Sequence, residues 1–264
     1  MLTSVRGLVA ASLLVGCGLA ATPALADEAE APESDITLSG NVVLVTDYRW
    51  RGLSYSAGDM AVQGQINVAH SSGLYAGVWA SSLEQDAFDI YGSLEADFYA
   101  GWSGEVASGL TADAGLTYYV YPNGTVGDGN YFEPYVSLTK AVGPASIKAG
   151  VNYAWKQDAL GGEDNLYLFS DLNVGVPDTA LSFQGHIGYT DGALSPKFLT
   201  SVAQAVIEDD ESLITTAGGW DYSVGATYGI TSNLSVGVSY IGVDGYSFDG
   251  FSNDTVVGTL KFAF

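Results

Sequence analysis

Few side chains in this sequence could perform acid–base, nucleophilic or metal chemistry. The histidines are His70 and His186, and the single cysteine is Cys17. Hydrolysis needs a base held beside a nucleophile, and neither histidine stands in a suitable partner pattern. Two isolated histidines also lack metal-ligand spacing, and no glycine-rich phosphate loop opens a helix. The sequence therefore predicts no catalytic residue, no metal ligand and no cofactor-binding residue.

The charge balance bears on the possible partners. Thirty acidic residues stand against eight lysines and arginines, which gives a formal net charge of −22. Binding to nucleic acid requires a basic face, so no nucleic-acid partner is expected. Aromatic and β-branched residues are too abundant for a disordered chain.

Alternating polarity predicts the elements that must position the charged residues. The segment 145–156 places Ile147, Val151 and Tyr153 on one face and Lys148 and Asn152 on the other. About a dozen such segments, each of roughly ten residues, are typical of a membrane β-barrel, because only lipid-facing residues must be apolar. The predicted strands are 36–50, 60–70, 74–83, 88–102, 110–122, 130–141, 145–156, 165–176, 180–191, 219–230, 234–244 and 254–264. No segment approaches the roughly 20 apolar residues of a transmembrane helix.

The connections distinguish this barrel from a soluble β-sandwich or lipocalin-like barrel, which also alternates. Every second connection is short, as at 71–73 and 231–233, and the others are longer, up to 192–218. Short periplasmic turns alternating with longer external loops are typical of outer-membrane barrels. The predicted fold class is all-β, a closed antiparallel transmembrane β-barrel of about 12 strands with both termini periplasmic.

Aromatic residues support the same layout, since rings collect at the two membrane interfaces. The rings predicted at the external ends of strands are Trp50, Trp155, Tyr189, Trp220 and Tyr240, and those at the periplasmic ends are Trp102, Tyr228, Phe262 and Phe264.

The first 26 residues resemble a signal peptide. Arg6 supplies the positive start, 7–20 form an apolar run, and Ala24-Leu25-Ala26 is a small-x-small cleavage site. Lipoprotein processing at Cys17 is the alternative. The predicted division is a signal peptide over 1–26, an acidic segment over 27–35 and an outer-membrane barrel over 36–264.

Strand parity assigns a set of charged side chains to the lumen, because a charge on the lipid face would cost about 2–4 kcal/mol near the bilayer midplane. The lumen-lining candidates are Asp47, Arg49, Arg51, Asp89, Glu95, Asp97, Asp113, Glu133, Lys148, Lys156 and Lys261, together with Asp171 and Asp221. Acids crowd predicted strands four to six, whereas Arg49, Arg51 and Lys261 fall on the first and last strands, which are neighbours in a closed barrel. Two hypotheses follow. Acidic and basic walls face each other across a narrow, cation-preferring pore, or the groups pair across the lumen and brace a nearly closed barrel.

Two further features lie in the fifth external loop and at the C-terminus. Ser195-Pro196 predicts the start of a short helix at the outer mouth. The acidic run 208–211 is a solvated loop, or alternatively a weak divalent-cation bridge to lipopolysaccharide. Phe264 ends the last strand on the lipid face and is predicted to be the signal that the outer-membrane assembly machinery reads.

Several motifs resemble one bacterial family. They are VTDYRWRGLS at 45–54, AVQG at 61–64, HSSGLYAGVWAS at 70–81, EADFYAGW at 95–102, GLTYYVYP at 115–122 and FEPYVSL at 132–138. Together they are similar to the TorF family of proteobacterial porin-like proteins, clearly through the sixth predicted strand and more loosely beyond it. Thr46 departs from the usual serine, Trp50 from the usual phenylalanine and Met60 from a frequent proline. The resemblance implies an outer-membrane channel without an established substrate, and no catalytic residue carries over.

The predicted function is a porin-like channel in the cell outer membrane for passive diffusion of small solutes, with a possible preference for cations. Its partners would be outer-membrane lipids, lipopolysaccharide and small solutes. One alternative is a phospholipase barrel, which would need a histidine and a serine at the lipid-facing external rim. The other is a structural or adhesive barrel that acts through its loops around a closed lumen. The permeant solute and the oligomeric state stay open.

Overall fold

The computed structural model describes residues 34–84, 91–124 and 129–264. The predicted signal peptide, most of the acidic segment and Asp89 lie outside these residues, so their predictions are not addressed by the fold.

Twelve strands of the described chain close into a barrel, and two short strands form a separate hairpin. The barrel strands are β1 (Ile36–Val45), β4 (Ala61–His70), β5 (Leu74–Ser82), β6 (Leu94–Ala107), β7 (Leu110–Val120), β8 (Tyr131–Val142), β9 (Ala145–Ala154), β10 (Asn165–Gly175), β11 (Leu181–Gly192), β12 (Gly219–Gly229), β13 (Leu234–Val243) and β14 (Thr255–Ala263). The hairpin strands are β2 (Arg49–Trp50) and β3 (Leu53–Ser54). The prediction of a closed antiparallel barrel is confirmed.

The first and last strands close the barrel. Val43 of β1 pairs with Lys261 of β14, and Val45 pairs with Thr259. The pairing reaches the last residue, because the backbone groups of Gly40 and Phe264 exchange two hydrogen bonds of 2.9 Å. No strand edge of the barrel is left open, which removes the unpaired backbone groups that lipid cannot satisfy.

The alternation of side chains explains which face each strand turns outward. On β9, Ile147 and Tyr153 point out and are exposed, whereas Lys148 and Asn152 point inward. The same pattern gives the barrel an outer surface of exposed valine, leucine, isoleucine and phenylalanine. An apolar exterior around a polar interior is the arrangement of a barrel surrounded by lipid.

The two ends of the barrel differ. One end, here called the terminal end, carries the start of β1, the end of β14 and the short turns 71–73, 108–109, 143–144, 176–180 and 230–233. The other, here called the loop end, carries the longer connections 46–60, 83–93, 121–130, 155–164, 193–218 and 244–254. The alternation of short and long connections thus follows the predicted one.

The loop between β11 and β12 contains helix α1 (Pro196–Glu208). Its N-cap is Ser195, whose hydroxyl accepts from the Phe198 N–H at 3.4 Å, and Asp209 ends it in the left-handed conformation. An ion pair of 3.2 Å joins Lys197 to Asp244 of the next loop. The predicted short helix at the mouth is confirmed. In the described residues no helix is long and apolar enough to cross a membrane.

The first predicted strand, 36–50, is too long, because β1 ends at Val45. Residues 46–60, here called the first loop, fold into the barrel as the β2–β3 hairpin. Asp47 accepts from the Ser54 hydroxyl at 2.6 Å, which ties the two sides of the loop together. Arg51 and Gly52 form the turn, both with positive φ (47° and 80°), as a two-residue hairpin turn requires.

Candidate lumen constriction

The barrel interior divides into two halves along its axis. At the loop end, the first loop fills the lumen: Tyr48, Trp50 and Leu53 retain 2, 4 and 1 % of their exposure. At the terminal end, the wall carries many neutral polar side chains that are only partly buried, together with the charged Asp113, Lys148 and Lys261. Examples of the neutral side chains are Asn67, Thr139, Asn173, Gln184 and Thr259. The first loop therefore forms the constriction, and the terminal half forms a polar vestibule.

An ion pair crosses the lumen from the first loop to β8. Arg51 Nη2 donates to both carboxylate oxygens of Glu133, at 2.7 and 2.9 Å, and both side chains are buried. Burial alone would lower the pKa of Arg51, but the Glu133 carboxylate raises it above its usual value. The guanidinium therefore stays charged, and the pair is held by charge-assisted hydrogen bonds.

Further side chains fix both partners of this pair. The Arg51 guanidinium lies between the rings of Trp50 and Tyr167, at 4.1 and 4.0 Å from their centroids. On the other side, Glu133 accepts from Asn152 Nδ2 at 2.9 Å and from the Tyr119 hydroxyl at 3.2 Å. β7 and β9 thus supply donors that satisfy the buried carboxylate, and β10 supplies a ring for the cation.

A second arginine, Arg49, attaches the first loop to the loop between β13 and β14. Arg49 Nε lies 2.6 Å from Asp47 Oδ2. Arg49 Nη1 donates to the carbonyls of Phe251 and Asn253, at 3.1 and 3.0 Å, in the loop between β13 and β14. The first loop is therefore held on two sides of the barrel.

A polar cleft of about 330 Å³ lies between these two loops and opens at the loop end. It is lined by Asp47, Arg49, Ala57, Gly58, Asp249, Gly250, Asn253 and Thr255. The cleft is the solvent-filled part of the mouth beside the packed first loop.

The acidic side of the constriction lies on β6. Glu95 accepts from the hydroxyls of Tyr48 and Tyr121, at 2.9 and 3.1 Å. Burial, and then the charge of Glu95, raise the pKa of Tyr48 well above its usual value. Both phenols therefore stay protonated and act as hydrogen-bond donors to the carboxylate.

Below the constriction, two tyrosines lie over glycines of neighbouring strands. Tyr75 is paired with Gly101 in the register of β5 and β6, and Tyr135 with Gly115 in that of β7 and β8. A Cβ on either glycine would collide with the phenol that covers it. Tyr75 can therefore reach Asp113 and Tyr135, both at 2.5 Å. Here glycine is needed for close approach and not for backbone conformation.

His186 of β11 is held between two carboxylates. Its Nδ1 lies 2.6 Å from Asp171 Oδ1, and its Nε2 lies 2.9 Å from Asp221 Oδ1. A ring that donates from both nitrogens to carboxylates is an imidazolium. The third partner of His186 is the Tyr167 hydroxyl, 2.8 Å from Nε2.

The structure places the predicted lumen residues as follows. Glu95, Asp97, Asp113, Glu133 and Lys148 point inward from β6 to β9, and Asp171 and Asp221 point inward from β10 and β12. Asp47, Arg49 and Arg51 are also inside, but they belong to the first loop and not to a barrel strand.

Three details of the predicted arrangement are wrong. Lys156 follows the end of β9, is 66 % exposed and pairs with Glu163 at 3.1 Å, so it does not line the lumen. Lys261 lies in the terminal half, and Arg51 reaches across to Glu133, so no basic wall forms. Trp50 belongs to the first loop and is buried in the lumen, so it does not lie in an aromatic girdle. All three errors come from extending strands past the residue where the chain bends.

The predicted lumen residues are all charged and do not include the tyrosines that complete the constriction, above all Tyr48, Tyr119 and Tyr167. A usable signal was present, because Tyr119 and Tyr167 share the inward parity of Glu133 and Asp171. Tyrosine is typical of the membrane interface, and that use conceals its second one, as a hydroxyl donor to a buried carboxylate.

Comparison with known proteins gives both a family and a fold. Residues 28–261 match the model of a family described as bacterial protein of unknown function (Gcw_chp). No curated protein matches the chain. The TorF name suggested by the motifs is not confirmed.

Two solved structures share the architecture. The NanC porin is 12 % identical, with a TM-score of 0.55 over 86 % of this chain and 99 % of that chain. The KdgM porin, solved in complex with disordered oligogalacturonate, is 9 % identical, with a TM-score of 0.54 over 86 % of this chain and 98 % of that chain. At these identities the similarity establishes a common barrel fold. By its match over most of its length, the chain is a member of the Gcw_chp family of bacterial proteins of unknown function.

Proposed function

We propose that this protein is an outer-membrane channel for passive diffusion of small solutes, constricted by its first loop and selective for cations. The closed barrel with an apolar exterior and a polar interior supports the membrane location. Since the number of barrel strands is even, the start of β1 and the end of β14 lie at one end, and the short turns at that end support a periplasmic assignment.

The observation that carries the cation preference is the charge of the interior. The inward carboxylates among the described residues are Asp47, Glu95, Asp97, Asp113, Glu133, Asp171 and Asp221. The inward cations are Arg49, Arg51, Lys148 and Lys261, with His186 as a fifth. Seven acids against five cations leave a negative potential, which a low-dielectric wall focuses along the lumen. Such a potential attracts cations and repels anions.

The packing of the first loop favours a second candidate, a structural or adhesive barrel acting through its external loops. Tyr48, Trp50 and Leu53 of the first loop are almost fully buried in the loop half. Conduction would then require either a narrow path beside the loop or its displacement.

Single-channel recording in planar bilayers separates the two candidates. The channel proposal expects discrete openings and, in a KCl gradient, a reversal potential of the sign given by K⁺ permeation. Absence of conductance would overturn the proposed channel. Conductance with a preference for anions would overturn the proposed cation selectivity. Deletion of 193–218 supplies the comparison: a pore should persist or widen, whereas loop-mediated adhesion should be lost.

A further inference from the structure

Asp97 of β6 is a buried carboxylate without a cationic partner. Its exposure is 1 %, its Oδ1 has no hydrogen-bond partner, and no salt bridge joins it to a described residue. A carboxyl group in such an environment is either protonated or, if ionised, needs a cationic partner. From this and from its surroundings we propose that Asp97 and Thr117 bind a monovalent metal cation inside the barrel.

The charged groups around Asp97 do not supply that cation themselves. Asp97 experiences repulsion from the carboxylates of Glu95 and Glu133. The neighbouring phenols of Tyr48 and Tyr119 carry no positive charge.

The Arg51 guanidinium is paired with Glu133 and makes no salt bridge with Asp97, although its Nη1 is buried without a hydrogen-bond partner. Arg51 donates to both oxygens of Glu133 at 2.7 and 2.9 Å. Arg51 therefore balances Glu133, whereas the buried carboxylates of Glu95 and Asp97 have no salt-bridge partner among the described residues, and this missing positive charge points to a bound ion.

A second unpartnered oxygen lies on the same face of the wall. Thr117 of β7 is 1 % exposed, and its hydroxyl has no hydrogen-bond partner. In the register Asp97 pairs with Tyr119, so Thr117 is its diagonal neighbour. Diagonal neighbours on one face of a sheet are about 7–8 Å apart at Cα, close enough for both side chains to contact one ion.

Aromatic rings flank the carboxylate on both sides. Trp79 of β5 and Tyr119 of β7 are the residues directly paired with Asp97. Both are buried, and the π systems of indole and phenol attract cations, most strongly where water is excluded.

The free ligands match a monovalent ion better than a divalent one. Glu95 and Glu133 are already engaged by tyrosine, asparagine and arginine donors. Among the described residues no three acidic, histidine or cysteine side chains are grouped to hold a metal ion. Calcium takes six to eight oxygens and magnesium needs octahedral geometry. Of the carboxylates of Glu95, Asp97 and Glu133, only that of Asp97 has an oxygen without a hydrogen-bond partner, and it balances one positive charge, which is the charge of sodium or potassium.

The test measures the heat unfolding of the purified full-length barrel in detergent. NaCl or KCl is exchanged for N-methyl-D-glucamine chloride at constant ionic strength, because that organic cation is too large for the site. With the metal cation at about ten times its dissociation constant, the midpoint should rise by about 3–6 °C. Asp97→Asn should abolish this rise, and its midpoint in N-methyl-D-glucamine should equal or exceed that of the wild type.

Two further variants make the result specific. Thr117→Val should keep the rise but require about 3–10-fold more sodium for the half-maximal shift. Asp178→Asn removes the same charge from an exposed turn and should leave the shift unchanged, so it controls for net charge.

The proposal fails if the wild type has the same midpoint in all three salts, or if Asp97→Asn keeps the sodium shift. It also fails if acidification in N-methyl-D-glucamine reproduces the whole stabilisation and added sodium then contributes nothing, because a proton would then satisfy Asp97. The readout is stability, so the absence of conductance would overturn the proposed function without affecting this result.

Discussion

Arg51 Nη2 lies 2.7 Å from Glu133 Oε2 and thereby joins the tip of the first loop to β8, which lies five strands away from β1 around the barrel. Both side chains are almost fully buried. This ion pair crosses the lumen and therefore determines the position of the first loop and how much of the lumen the loop fills.

Breaking this ion pair should loosen the constriction. Glu133→Gln leaves the Arg51 charge buried without a counter-charge, so the free energy of unfolding should fall by about 3–5 kcal/mol. Single-channel conductance should rise because the first loop loses its attachment to β8. Both are measured on the purified barrel, by denaturant titration and by bilayer recording.

The double variant Arg51→Met with Glu133→Gln controls for the unpaired charge. The double variant should recover much of the stability, since neither partner of this ion pair leaves an unpaired charge behind. It should retain the higher conductance. Lys156→Met removes the exposed pair with Glu163 and should change neither quantity. Unchanged conductance in Glu133→Gln would contradict the role of the pair in holding the constriction.

Neutralising charges of the vestibule should shift ion selectivity in opposite directions. Asp113→Asn removes a lumen carboxylate and should lower the K⁺ to Cl⁻ permeability ratio, whereas Lys261→Gln should raise it. The ratio is obtained from the reversal potential in a KCl gradient. Both shifts should shrink in high salt, where the Debye length is only about 3 Å at 1 M. Shifts of the same sign in both variants would contradict an electrostatic mechanism.

The tyrosine above Gly101 should be sensitive to added volume. Gly101→Val would push Tyr75 away from Asp113 and should cost about 1–3 kcal/mol in overpacking. The free energy of unfolding measures this cost. Gly185→Val is the matched control, because a Cβ at Gly185 meets no atom within 4 Å. Equal losses in both variants would show that the loss of glycine in a strand, and not the collision with Tyr75, is responsible.

Removing the last residue should impair closure of the barrel. Phe264 exchanges two backbone hydrogen bonds with Gly40 and exposes its ring on the outer face. We predict that deletion of Phe264 lowers the yield in the outer membrane and increases periplasmic degradation, measured by membrane fractionation. Phe264→Tyr keeps the backbone pairing and the ring, and should insert normally. Normal insertion of the deletion variant would contradict an assembly role.

The strands could be predicted because a lipid-facing wall forces a period of two on the sequence, and β9 shows that period over its whole length. The bend after Val45 could not be predicted. The alternation continues through Asp47, Arg49 and Arg51, so the sequence resembles a longer strand. Contacts with distant residues, above all Glu133 and Asn253, decide that these side chains belong to a hairpin inside the barrel.

The same limit applies to the charged groups. Parity placed Glu95, Asp97 and Glu133 in the lumen, since it depends only on position along a strand. Which groups pair depends on the register between strands and on the path of the first loop. The cluster around His186 could be predicted from the sequence, because β10, β11 and β12 are consecutive strands and Asp171 and Asp221 have inward parity.

The attachment of Arg49 has a consequence for folding. Its carbonyl acceptors on Phe251 and Asn253 lie 202 and 204 residues further along the chain. Contacts of such high sequence separation close late, because the entropy of bringing the segments together must be met first. The first loop can therefore engage on both sides only after the last hairpin has been added. In a partly inserted barrel the first loop would not yet be held in the lumen. Protease resistance of residues 46–60 would therefore report the last step of barrel assembly.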